Sequence, residues 1–205
     1  MLSDKIPNSL MYIALLTAEE IMGKNGLHSI LNYAKINEYR NNYPNNNEEL
    51  GVPVADFMKL ISSTIQVFGE SGARSILHNC GKMAFHLVLK ENPALFGLVG
   101  LSFKFLTKKK RAEKMLDQLN KASNKIFGEV QRFYVGEHGF VTEIYDCFYC
   151  KGLKSDQPIC SIEVGFEAES LRWVTNDHYE VREVLCRARG DDVCKFVVPF
   201  EPKAI

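Results

Sequence analysis

The chain lacks any excess of charge of one sign. Its 25 Lys+Arg balance 25 Asp+Glu, for a formal net charge of zero, which excludes a general affinity for nucleic-acid backbones or anionic lipid. The one dense basic run, Lys108-Lys109-Lys110-Arg111, opens an amphipathic stretch and reads as a solvated helix face. A long apolar run is also missing. Leu10 to Ile21 is interrupted by Glu19 and Glu20, is too short to span a bilayer and lacks a basic n-region. No transmembrane segment or secretory signal is expected, and the expected compartment is the cytoplasm. Absent too are a GxGxxG after a strand, a Walker-type loop, an HExxH pair and an obvious Ser-His-Asp arrangement. A binding role is therefore expected before an enzymatic one.

What is present fits a soluble globular chain. At 205 residues, with 46% hydrophobic and 24% charged residues, it can bury a real core in one domain, with room for an N-terminal extension. Six cysteines in a reducing compartment read as metal ligands or reactive groups before disulfides. Cys80 stands alone and reads as an inert buried hydrophobe. Cys147, Cys150, Cys160, Cys186 and Cys194 crowd the C-terminal part.

The first half reads as helical. Residues 8–23 and 27–35 look like two helices split at Asn25-Gly26. Tyr39 to Glu49 is a polar, asparagine-rich loop that sets a boundary between an N-terminal helical hairpin, residues 1–48, and a ligand-binding domain, residues 49–205. Helical spacing follows over Val54–Phe68, Ala73–Glu91 and 108–127, with an unusually apolar stretch at 94–106. From about residue 129 the character changes. A hairpin of Val130–Val135 and Phe140–Tyr145, a helix over Cys160–Val174, and a second hairpin of Tyr179–Arg187 and Val193–Phe200 predict an α+β fold. Helices packed on an antiparallel sheet are expected, without internal repeats.

If the last hairpin turns about Gly190, Cys186 and Cys194 face each other, with Cβ atoms roughly 4.5–5.5 Å apart. Two such thiolates fill two corners of a tetrahedral zinc site, and Cys160, opening the preceding helix, supplies a third. Spacing leaves the fourth donor open. Glu183 sits an odd offset from Cys186 and needs a bulge to reach the same face, while Cys147 and Cys150, a CxxC with knuckle spacing, compete. A redox role for that CxxC is a further alternative.

The run Cys160-SIEVGFEAESLRWVTNDHYEVRE-Val184-Leu185-Cys186-RARGDDV-Cys194-Lys-Phe196 resembles the C-terminal signature of the 4-vinyl reductase (4VR) domain family. Its elements are a cysteine, a Gly-aromatic helix, a strand with Glu-x-x-Cys, a glycine turn and Cys-x-Phe. It is also similar to the sensor domains of phenol-responsive transcriptional activators, although this chain lacks their ATPase and helix-turn-helix segments. The resemblance implies zinc on Cys160, Glu183, Cys186 and Cys194, with Cys147 and Cys150 as alternative metal ligands. It implies the fold of ligand-binding domains from nitric-oxide signalling and Golgi transport, and the binding of a small hydrophobic, aromatic or tetrapyrrole-like molecule. With four protein ligands such a zinc is structural.

Pocket candidates are Phe85, His86, Phe103, Phe166 and Trp173. Two other functions are in view. One is a reductase or accessory factor acting on a (bacterio)chlorophyll vinyl group, which would need a partner reductase. The other is a dimeric scaffold joined through the N-terminal helices at Leu10, Ile13, Leu16 and Ile21.

Overall fold

The computed structural model describes residues 4–91 and 105–203. Strand β1 (Lys5–Pro7) leads directly into helix α1 (Asn8–Tyr33). The free N–H groups of the first turn of α1 are satisfied by the polar loop: Asn8 N donates to Glu49 O (2.9 Å) and Ser9 N to Asn47 O (2.9 Å). A 3-10 turn (Asn37–Tyr39) precedes that loop, and β2 (Leu50–Pro53) pairs antiparallel with β1. This small ladder was not expected. Three and four residues, each ending in proline, show no strand periodicity.

Helix α2 (Val54–Glu91) follows, then α3 (Lys108–Phe127), β3 (Gln131–Val135), β4 (Gly139–Ile144), α4 (Ser161–Thr175), β5 (Arg182–Leu185) and β6 (Cys194–Pro199). The four C-terminal strands form one antiparallel sheet in the order β3-β4-β6-β5. The expected helices and hairpins are therefore present in their expected order. The break in α1 falls at Gly23 (φ 75°, ψ 162°), not at Asn25-Gly26, which stay helical. Gly23 alone supplies the positive φ that a side chain would resist. Gly69 (φ 69°) kinks α2 in the same way.

One core runs through the molecule. Met11, Leu15, Leu27, Ile30 and Leu31 of α1 belong to the same buried cluster as Phe57 of α2, Leu171 of α4 and Phe196 of β6. The residues on the two sides of position 48 thus share their apolar burial. The expected docking residues Leu10 and Ile13 face inward, where they line a cavity.

Helices α2 and α4 form the most extensive contact between elements. They cross at backbone contact. A Cβ on Gly81 would sit 2.0 Å from Ile162 O, and one on Gly165 would sit 2.0 Å from His78 O. Only glycine at both positions allows this approach, and it fixes the height of the α4 N-terminus, where the site is built. All six residues of β4 are buried. Its outward Glu143 is roofed by Arg132 (2.7 Å) and Lys195 (3.2 Å), which, with a hydrogen bond from Tyr134, hold its carboxyl low against the opposing effect of burial.

Candidate metal centre and ligand cavity

In the β5–β6 ladder Glu183 pairs with Phe196 but Leu185 pairs with Lys195, so Val184 is an extra residue on β5. This bulge cancels the odd offset between Glu183 and Cys186. Past it the register carries Cys186 opposite Cys194, the strand's first residue. Cys160 is the N-cap of α4, and its amide donates to Glu183 Oε2 at 2.8 Å. The thiols of Cys160, Cys186 and Cys194 and a Glu183 carboxylate oxygen lie within 4.8 Å of one another. Cys160 Sγ is 3.9 Å from Cys186 Sγ and 3.8 Å from Cys194 Sγ. The edge of a tetrahedron with Zn–S bonds of about 2.3 Å is about 3.8 Å.

The CxxC reaches the same place. Cys147 and Cys150 lie in turns just after β4, and Gly152 (φ 74°) closes the loop. Cys147 Sγ is 3.6 Å from Cys160 Sγ, and Cys150 Sγ is 3.4 Å from Cys194 Sγ. Cys147, Cys150, Cys160 and Cys194 form a second group whose sulfurs all lie within 4.8 Å. All five thiols are buried and free, at separations well beyond a disulfide bond of about 2.05 Å. The structure therefore brings together both donor sets named from the sequence.

The electrostatics of this knot call for a cation. Burial, then the neighbouring Cys186, pushes the Glu183 carboxyl up to about 9. Burial raises the Cys147 thiol, and its thiol neighbours push Cys160 well above the ordinary value. Glu183 Oε1 is buried with no hydrogen-bond partner, an arrangement that costs about 1–3 kcal/mol or more unless something occupies its lone pairs. The Arg187 amide donates to Cys194 Sγ at 3.4 Å, as a thiolate would favour. Soft sulfur donors, one orphaned carboxylate oxygen and near-tetrahedral spacing fit zinc. Cys80 lies apart, its thiol raised to about 11 by burial.

Beside the knot is a cavity of about 310 Å³, between the start of α1, the end of α3, β4 and α4. Leu10, Leu119, Phe127, Ile144, Phe148 and Phe166 supply much of its apolar wall. Tyr149 and Glu163 also line it. Burial pushes the Glu163 carboxyl up to about 7, against a lowering hydrogen bond from Tyr149, so near neutral pH it is part-protonated and can donate as well as accept.

Of the residues named for a pocket, Phe166 is in this wall. Phe85 and Trp173 pack edge-to-face in a neighbouring cluster, with Phe85 5.6 Å from Phe166 and 5.9 Å from Trp173. His86 Nε2 is 2.7 Å from Glu169 Oε1. Phe103 lies outside the described residues. Phe148, Tyr149 and Glu163 were missed, although their positions carried a signal: two are the residues inside the CxxC, and Glu163 is one turn beyond Cys160.

Residues 140–200 match the family model of the 4-vinyl reductase (4VR) domain. Two uncharacterized proteins of Methanocaldococcus jannaschii are similar to parts of the chain. One is 34% identical over 58 residues, 28% of this chain and 32% of the relative; the other is 46% identical over 50 residues, 23% and 22%. The chain thus spans a third or less of the length of these relatives. Among solved structures, a double variant of Tt H-NOX superposes with TM-score 0.61 at 14% identity, covering 98% of both chains. An oxygen-binding H-NOX domain related to soluble guanylate cyclases gives 0.60 at 12%, covering 98% of this chain and 100% of that one. An H-NOX protein from S. oneidensis gives 0.57 at 11%, covering 94% and 99%. At such identities the likeness establishes the fold. No helix among the described residues is long and apolar enough to cross a membrane. The chain has the α+β fold of the H-NOX domains, and its residues 140–200 are those of the 4-vinyl reductase domain family.

Proposed function

We propose that the chain is a binding or sensing module for a small, mostly apolar ligand, held in shape by a structural zinc on Cys160, Glu183, Cys186 and Cys194. The observation that carries this reading is the shared construction of site and cavity. The turn holding Cys147 and Cys150 presents Phe148 and Tyr149 to the cavity, and the helix that Cys160 opens presents Glu163 and Phe166. Zinc would supply a fixed tetrahedral staple, with no open position for chemistry.

At about 310 Å³ the cavity lies at the small end of the roughly 300–1,000 Å³ usual for ligand sites. That suits a compact aromatic molecule better than a macrocycle. Among the described residues no histidine lines the cavity, and residues 92–104 contain none, so a haem iron would lack a histidine ligand there. The Tyr149–Glu163 pair favours a ligand with one hydroxyl or amine group at its inner end.

Native mass spectrometry of freshly purified full-length chain tests this. Wild type should carry zinc and either retain a small organic molecule or take one up from a panel of phenols and arylamines. Leu119→Trp, which fills the cavity, should keep the zinc and lose the organic ligand. Equal ligand retention by both proteins would place the ligand elsewhere.

A further inference from the structure

The five thiols and one carboxylate outnumber what one tetrahedral ion takes. We infer that the centre holds two metal ions, bridged by the thiolates of Cys160 and Cys194, with Cys147 and Cys150 completing the second site. The inference deepens the zinc reading above and rests on it.

The two donor groups are two tetrahedra that share an edge. Cys160 and Cys194 belong to both groups, and their sulfurs are 3.8 Å apart. On one side of that edge lie Glu183 and Cys186; on the other lie Cys147 and Cys150. The resolved edges, 3.6 Å for Cys147–Cys160, 3.4 Å for Cys150–Cys194 and 3.9 Å for Cys160–Cys186, cluster about the roughly 3.8 Å of a zinc–thiolate tetrahedron. A thiol that only donated a hydrogen bond would need a single close sulfur. Cys147 and Cys150 instead each lie within 4.8 Å of both bridging sulfurs and of each other.

Charge leads to the same place. Fully ionised, the six donors carry six negative charges in a buried site. One divalent ion would leave four of them uncompensated, whereas two ions leave a residual charge of minus two, the same as in an ordinary single zinc held by four thiolates. Each ion bound displaces the protons of the thiols it takes. The second ion would also fix the turn that carries Phe148 and Tyr149 into the cavity, making that wall dependent on metal.

The test is metal stoichiometry on the full chain, with Zn²⁺ and Co²⁺ as probes. Purified wild type should hold two zinc ions by native mass spectrometry, and Cys147→Ser/Cys150→Ser should hold one. In case that variant does not fold, Co²⁺ titration of metal-free wild type gives a second readout. Its thiolate-to-cobalt absorption should rise to two equivalents, and the cobalt paramagnetic resonance signal should fall between the first and second equivalents as the bridged pair couples. One ion in both proteins would overturn the two-ion centre and leave the Cys160–Glu183–Cys186–Cys194 site standing. No bound ion in wild type would overturn both. A wild-type denatured mass 2 Da low, with one ion, would show Cys147 or Cys150 in a disulfide and also overturn the proposal.

Discussion

Replacing Glu167 with Gln should stabilise the protein, and the gain should grow with pH. Glu167 is 2% exposed on the inward side of α4, and its Oε2 has no partner. Burial first, then the charge of Glu163 one turn earlier, raises its carboxyl from 4.5 to about 8, against a lowering hydrogen bond from Thr142. The folded state then binds a proton that the unfolded chain has already lost. Stability from this group is fully present below the unfolded value of 4.5 and is lost as pH rises toward 8, flattening above.

At 1.36 kcal/mol per pH unit the full span is worth roughly 5 kcal/mol. Local relaxation and water entry lower that ceiling, so ~2–4 kcal/mol is expected. Gln keeps the shape and the Thr142 contact but never ionises. Urea unfolding of zinc-loaded wild type and Glu167→Gln at intervals from pH 5 to 9 should give matching stabilities near pH 5. The curves should then separate, with the variant ahead by a few kcal/mol at pH 9. Parallel curves across the range would refute a neutral buried Glu167.

Three other changes probe different layers. Gly165→Ala drives a methyl into His78 O and should cost at least the ~1–3 kcal/mol of an overpacked contact; an unchanged midpoint in urea would show that the α2–α4 crossing can open freely. Leu119→Trp should leave thermal stability within about 1 kcal/mol of wild type while abolishing ligand uptake measured by calorimetry, since it fills space that the ligand occupies. Chelation of the metal, or Cys186→Ser, should lower the melting temperature by more than about 10 °C in thermal scans and add hydrogen exchange in residues 147–163 before α1; uniform exchange would argue that the metal does not act locally.

Much of the fold was legible because its elements carry their own punctuation. Thr107 caps α3 by accepting from Lys110 N, and Gly128, Gly136 and Gly190 mark the turns around β3, β4 and β6. The thiol cluster was legible from crowding alone. The choice of Glu183 was not, because it depends on the bulge at Val184, which nothing in the residue pattern announces. The cavity was also hidden. Phe85 and Trp173 stand out as large aromatics on apolar faces, but they fill a packed cluster, whereas the open space forms where α1, α3 and the metal-bearing turn meet. Such a juncture joins residues as distant as Leu10 and Phe166. The α2–α4 crossing at Gly81 and Gly165 was equally silent, since a helical glycine looks the same whether it faces solvent or a neighbouring carbonyl.

The central claim is that metal and ligand share one architecture. Crystallography of the purified chain with anomalous data at the zinc edge tests it most directly. The account predicts a zinc peak about 2.3 Å from the sulfurs of Cys160, Cys186 and Cys194, bonded to Glu183 Oε1, together with density for a bound molecule against Phe148, Tyr149 and Glu163. Thiols without an anomalous peak, with the cavity closed by its own side chains, would contradict it.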